Sequence, residues 1–260
     1  MSESKTVVVS GGTYGIGRGI VVELARRGWN VLGFGLDSRQ PGSAAEGGVE
    51  DTRRALADAG LAGEILQADV SRATDVERVM EHALSCFGRV HGVVNNAAIR
   101  PTGTILETDE AMFDRVIEVN LKGQFLLCKV AIAHMREAGG GAIVNIGSGA
   151  GWGKAGLLAY GASKGGVFAL SSALAYDHLV DRVRINVVVP GPQTTSGMVE
   201  IMEGQGLLPK VETVSGRGNQ PRDIANAVAF LLSDDAEQIS GTVLDVGAFS
   251  HQGGVGQPRS

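Results

Sequence analysis

Residues 6–28 read TVVVSGGTYGIGRGIVVELARRG. A short β-branched run, predicted as a strand over 5–10, stops at a serine followed by glycines at 11, 15 and 17, and the chain then turns helical over 15–28. Such a turn lets backbone come close to a pyrophosphate without interference from Cβ atoms, while the helix N-terminus offers oriented N–H groups. Gly11, Thr13, Tyr14, Gly15, Ile16 and Gly17 are therefore candidate phosphate contacts. Three glycines in a chain this rich in glycine also suit an ordinary tight turn, so the motif needs support from the rest of the sequence.

Working outward, short apolar runs alternate with longer amphipathic stretches, the pattern of βα repeats around a parallel sheet. Further strands are predicted near 30–35, 64–68, 90–95, 141–147, 183–189 and 242–246. Helices are expected at about 46–59, 72–87, 108–137, 158–180 and 221–233, with Ser71 as N-cap of the 72–87 helix. Seven strands, most of them apolar enough to be buried on both faces, fit one α/β domain over residues 1–260 with a doubly wound, Rossmann-type parallel sheet. The polar 37–48 stretch and a long 192–220 excursion interrupt the rhythm, and 249–260 reads as a frayed or docked tail.

Composition narrows the function. A net charge of -5 provides no field to gather nucleic acid or an acidic lipid surface. Cys86 and Cys128 have no metal or disulfide spacing, no histidine pattern suggests a catalytic metal, and no signal or membrane-length apolar segment is visible. The expectation is a cytoplasmic protein without a metal. Glycine is the outlier, 39 residues in 260, about twice the usual share of roughly 7%.

Open α/β sheets bind ligands at the carboxyl ends of their strands. Asp37, after the second strand, is placed to accept hydrogen bonds from an adenosine ribose diol, which would favour NAD over NADP; Arg39 works in the opposite direction. Asp69-Val70 follows the third strand and Asn95-Asn96-Ala97-Ala98 the fourth. Asp69 suits an adenine amino group, yet Asp and Asn after a strand are also common turn formers.

Tyr160 and Lys164 stand one helical turn apart on one face. A phenol is a poor base at neutral pH, but an adjacent ammonium favours phenolate and brings it within working range. Ser148, directly after the predicted 141–147 strand, supplies a hydroxyl to hold a substrate oxygen near the phenol, the geometry for proton transfer coupled to hydride transfer.

Together Gly11-x-x-x-Gly15-Ile16-Gly17, Asp69-Val70, Asn95-Asn96-Ala97-Ala98, Asn120, Ser148, Tyr160-Gly161-Ala162-Ser163-Lys164 and Pro190-Gly191 make the chain resemble the short-chain dehydrogenase/reductase family from Val7 to about Ala248. The resemblance implies a nicotinamide cofactor and a catalytic group of Ser148, Tyr160, Lys164 and Asn120, in which the lysine also holds the nicotinamide ribose and the asparagine supports a water-linked proton path. It extends the cofactor set to Asn96, Pro190, Gly191, Gln193 and Thr195, and implies a homotetramer or homodimer. Four departures stand out: Ala98 where the family has glycine, a Ser148–Tyr160 interval one residue shorter than is common, Gly247-Ala248-Phe249 in place of Asp-Gly-Gly, and Tyr14 with Gly35-Leu36 where NADP-preferring members carry a basic residue. The last favours NAD, with NADP the alternative.

The 192–220 excursion carries Met198 and Met202, among other apolar residues, and reads as an adaptable lid. With Trp152, Ser148 and Tyr160 it suggests a small alcohol or ketone with an apolar or ring portion. Arg100 either meets a carboxylate or is simply solvated. The expected reaction is oxidation of a secondary alcohol; an NADPH-dependent carbonyl or 3-oxoacyl-type reductase and a non-catalytic dinucleotide sensor or scaffold are the alternatives. Gly147 and Gly149 flank the serine, and Gly161, Gly165 and Gly166 are expected to thin the helix where cofactor or a neighbouring subunit comes close.

Overall fold

The computed structural model describes residues 4–37, 47–191 and 214–247. Its strands are β1 (Thr6–Ser10), β2 (Asn30–Gly35), β3 (Glu64–Gln67), β4 (Gly92–Asn95), β5 (Gly141–Ile146), β6 (Val183–Pro190) and β7 (Val243–Val246). All pair in parallel in the order β3-β2-β1-β4-β5-β6-β7. The order reverses between β1 and β4, so the crevice where doubly wound sheets take their ligands opens beyond the ends of those two strands.

The central strand shows why the sheet is buried on both sides. Val7 and Val9 point to one face and pack with Ile20, Leu24 and Val228. Val8 points to the other, among Val79, Leu127 and Met135. Each such side chain withdrawn from water contributes roughly 1.5–3 kcal/mol, which fixes β1 in the middle and its polar C-terminal turn at the crevice.

Helices α1 (Gly15–Arg26) and α2 (Val49–Asp58) connect the first three strands, and α3 (Ala73–Phe87) leads into β4. The predicted 108–137 helix is three pieces: α4 (Glu110–Ile117), a π-helical turn (Glu118–Lys122) and α5 (Gly123–Glu137). After β5 come a 3₁₀ turn (Gly149–Trp152), α6 (Leu158–Asp177) and, following β6, α7 (Pro221–Leu232). Element boundaries move by a few residues from the sequence expectation; α2 starts at Val49 and α6 ends at Asp177.

Ser71 is not the cap of α3. The N-cap position is Arg72, without a side-chain cap, and the Ser71 N–H and hydroxyl both donate to Asp69 Oδ1, at 2.9 and 2.7 Å. The aspartate two residues upstream captures the serine in a local turn before the helix begins.

Among the described residues no helix is long and apolar enough to cross a membrane, no cluster of three metal-ligating side chains occurs, and Cys86 and Cys128 are free.

Candidate active site

The glycine turn lies at the C-terminal end of β1. A Cβ at Gly17 would come within 2.0 Å of the Gly11 carbonyl oxygen, so only glycine lets α1 start this close to the turn. The first turn of α1 has no side-chain cap and no acidic residue. Its N–H groups and positive dipole end are therefore available to an anion, the property a pyrophosphate cradle needs. Opposite it, the Ser10 hydroxyl accepts from the N–H groups of Asn96 and Ala97, and Asn96 Nδ2 donates to the Gly11 carbonyl at 3.0 Å. Asn96 thus clamps the turn.

Asp37 lies just beyond β2, exposed, with Oδ1 accepting from the Val49 N–H at 2.9 Å while the Tyr14 hydroxyl donates to its carbonyl. One carboxylate oxygen so anchors the start of α2. At Gly35, the end of β2, a Cβ would lie 2.6 Å from Thr13 Oγ1, so the strand end and the glycine turn pass close to each other. Asp69 is spent more fully: Oδ1 serves Ser71 and Oδ2 lies 3.3 Å from Arg115 Nη2. Burial would raise its pKa, but the Ser71 hydrogen bonds and the Arg115 charge outweigh that and hold it below the ordinary aspartate value.

The chemical end is assembled by α6 packing on the 3₁₀ turn after β5. Cβ atoms at Gly161 and Gly165 would fall 2.9 Å from the Ala150 carbonyl and 3.0 Å from the Gly151 carbonyl. Here the structure corrects the sequence expectation for the bare face of this helix: at Gly161 and Gly165 it is the chain's own turn that comes close, and at Gly166 the Leu121 side chain. The close approach brings Ser148 near enough to Tyr160 for its hydroxyl to favour the phenolate, so the shortened interval between them does not separate the pair. Ser148 also accepts from the Ala150 N–H at 3.2 Å. Trp152, at the end of the turn, stacks on Phe168 with ring centroids 4.3 Å apart.

Lys164 is buried, its Nζ donating to the Ile146 carbonyl at 2.6 Å and standing 5.8 Å from the Tyr160 ring centroid. Burial brings the ammonium down to about 8. The phenol does not behave as the sequence suggests. Burial raises the Tyr160 pKa, and the Ser148 hydrogen bond and the Arg100 charge offset this only in part. The Lys164 ammonium donates to a β5 carbonyl, and a second cation, Arg100, lies at a similar distance from the ring, its Cζ 5.9 Å from the centroid, and its charge lowers the phenol pKa.

Asn120 sits in the π turn, fully buried. Its Oδ1 accepts from Ile99 N at 2.8 Å, and its Nδ2 donates to the Ile99 carbonyl at 2.9 Å and to Ser163 Oγ at 3.0 Å. Ser163 in turn donates to the Tyr160 carbonyl at 2.7 Å. The π turn, a frequent mark of functional positions, so ties the segment after β4 to the helix that carries Tyr160. Ser163 was given no role by the sequence, though it stood in plain view between Tyr160 and Lys164, and Arg100, read from the sequence as a carboxylate contact or a solvated side chain, was not expected over the Tyr160 ring. Pro190 ends β6 and Gly191 is buried against Asn219, Val246 and Gly247, where the Asn219 amide donates to the Val246 carbonyl. Gln193, Thr195, Met198, Met202 and Arg39, most of the 192–220 excursion and the 249–260 tail lie outside the described residues.

A switch-point crevice with a glycine turn on one side and a Ser-Tyr-Lys set on the other defines a dinucleotide-dependent oxidoreductase. The comparisons give the family. The model described as enoyl-(acyl carrier protein) reductase, adh_short_C2, matches residues 11–248. The chain is 35% identical to 2-(S)-hydroxypropyl-CoM dehydrogenase 3 of Xanthobacter autotrophicus, covering 97% of each chain. It is 35% identical to cis-4-hydroxycyclohexanecarboxylate dehydrogenase of Sinomonas cyclohexanicum, covering 93% of this chain and 94% of the relative. The structure of 3-ketoacyl-(acyl-carrier-protein) reductase from Brucella melitensis, complexed with NADH, superposes with a TM-score of 0.80 at 31% identity, covering 94% of this chain and 97% of that one. The chain belongs to the short-chain dehydrogenase/reductase family. It is an NAD(P)-dependent oxidoreductase of alcohol and ketone substrates.

Proposed function

We propose that this enzyme interconverts a secondary alcohol and its ketone with NAD, and that Tyr160 is the group that moves the proton. The observation that carries the reading is the approach of Ser148 to Tyr160, near enough to favour its phenolate, with Lys164 one helical turn on and its Nζ 5.8 Å from the ring centroid. The uncapped N-terminus of α1 and the glycines at 11, 15 and 17 fit a pyrophosphate, with Thr13, Tyr14 and Ile16 in the same turn. Asp37 has a second carboxylate oxygen for a ribose diol, and Asp69-Val70, Asn96, Pro190 and Gly191 line the same strand ends. Bound there, the nicotinamide supplies the hydride acceptor for alcohol oxidation or the donor for ketone reduction.

In oxidation the Ser148 hydroxyl donates to the substrate oxygen and holds it at the phenol. Tyr160 takes the hydroxyl proton as the carbinol carbon gives up its hydride; in reduction it returns the proton to the alkoxide oxygen. Lys164, whose ammonium has donors beyond the one given to the Ile146 carbonyl, would hold the nicotinamide ribose, and Asn120 fixes the loop and helix around the reacting atoms through Ile99 and Ser163. Trp152 offers an apolar face to a substrate ring. Support for an oxidised ring alcohol comes from the relative named for a hydroxycyclohexanecarboxylate. The free carboxylate oxygen of Asp37 repels a 2′-phosphate and favours NAD.

A panel of secondary alcohols and ketones, followed at the nicotinamide absorbance with each cofactor, tests this reading. Turnover with NAD at least about tenfold more efficient than with NADP is expected, as one unfavourable charge contact provides about 1.4 kcal/mol or more. A preference for NADPH would favour the runner-up, a carbonyl or 3-oxoacyl-type reductase; no turnover of any alcohol or ketone would sink the proposal.

A further inference from the structure

Most arginines near the sheet edge are spoken for: Arg115 pairs with Asp69 and Glu118, and Arg217 with Asp223. Arg100 is exposed and has neither an ion-pair nor a hydrogen-bond partner among the described residues. Its position is nevertheless fixed from both sides. Upstream, both backbone groups of Ile99 are bonded to the buried Asn120 amide. Downstream, Gly103 donates to the Gly156 carbonyl and accepts from the Leu158 N–H, forming a bridge with Leu157 at the start of α6. Pro101 restricts the backbone between these ties. The strap holds the guanidinium over the ring of Tyr160, 5.9 Å from its centroid.

A guanidinium stays protonated throughout the working range and cannot exchange the reaction's proton. Its planar fork instead matches an oxyanion such as a carboxylate or sulfonate, and an unpaired one beside the reacting atoms awaits such a partner. We propose that Arg100 is a specificity-determining residue that binds an anionic group of the substrate, so that the enzyme acts on hydroxy and oxo acids. This deepens the proposed function and rests on Tyr160 being the proton-transfer group. The anion lies on the Arg100 side of the phenol while the carbonyl oxygen meets Ser148 and Tyr160, and the strap sets the distance between the two.

The test compares 4-oxocyclohexanecarboxylate with its carboxamide, reduced with NADH at about pH 6.5, where phenolic Tyr160 is protonated with or without Arg100. Arg100→Gln should lower kcat/KM for the carboxylate about 20-fold more than for the carboxamide, mainly through KM, as expected for loss of a charged hydrogen-bond pair. Arg100→Lys should recover part of the difference. Equal losses on both ketones, or none, would overturn the proposal. A second measurement needs no turnover: calorimetric binding of cyclohexanecarboxylate and cyclohexanecarboxamide to the wild-type protein and to Arg100→Gln in the presence of NAD. Weaker binding of the carboxylate alone supports the anion site, and equal affinities in the two proteins refute it. If the wild type binds the carboxylate through Arg100 yet reduces no ketone, it is the reading of Tyr160 that fails.

Discussion

The sign of the Tyr160 perturbation sets the pH behaviour of the site. Burial raises the phenol more than Ser148 and Arg100 lower it, so the protonated form dominates at neutral pH in the cofactor-free enzyme. That form is the donor that ketone reduction requires. Alcohol oxidation requires the phenolate, so its kcat/KM should climb with pH, with a slope of up to about one on logarithmic axes between about pH 7 and 10, while reduction, which uses the protonated phenol, stays level over the same range. Ser148→Ala removes a hydrogen bond that favours phenolate and should move the oxidation limb to higher pH. A limb unmoved by that change would show that Ser148 does not act on the phenol. At this scale the sequence spoke clearly where spacing alone decides, as with Tyr160 and Lys164 on one helix face. It was silent where burial decides: the Lys164 ammonium turns to the Ile146 carbonyl, and Arg100 reaches the ring through ties to residues 20 or more positions away.

Elements were legible where burial is two-sided. The valine runs of β1 and β4 leave little choice but strands in a covered parallel sheet. The π turn at Glu118–Lys122 was not legible, because its residues suit an unbroken helix and the change of register accompanies the tertiary bonds of Asn120 to Ile99 and Ser163. The start of α3 was missed because Asp69 competes for Ser71. Helices also carry the expectation of assembly. Phe113 on α4, Phe125 on α5 and Tyr176 on α6 are exposed apolar or aromatic residues on three helices of the chain, more than isolated surface positions require. We propose that these helices associate with further copies as a homotetramer or homodimer. Sedimentation equilibrium should give a mass at least twice that of the chain, and a monomer at micromolar concentration would remove the proposal.

For the molecule as a whole, fold and chemistry meet at one edge. The strand-order reversal opens the crevice, the glycine turn and Asn96 shape one side, and the Ser148 turn packed on α6 shapes the other. The glycine surplus acquires a physical account in part: Gly17 brings a helix to its turn, while Gly161 and Gly165 admit a turn to a helix. The account stands on Tyr160 as the proton-transfer group, and Tyr160→Phe tests that most directly because it removes one oxygen and leaves the ring. The variant should lose on the order of 10³-fold in kcat with its substrate while binding NADH within about threefold of the wild type, the signature of a lost acid–base group in an intact site. Turnover within about twofold of wild type, with NADH still bound, would contradict the account.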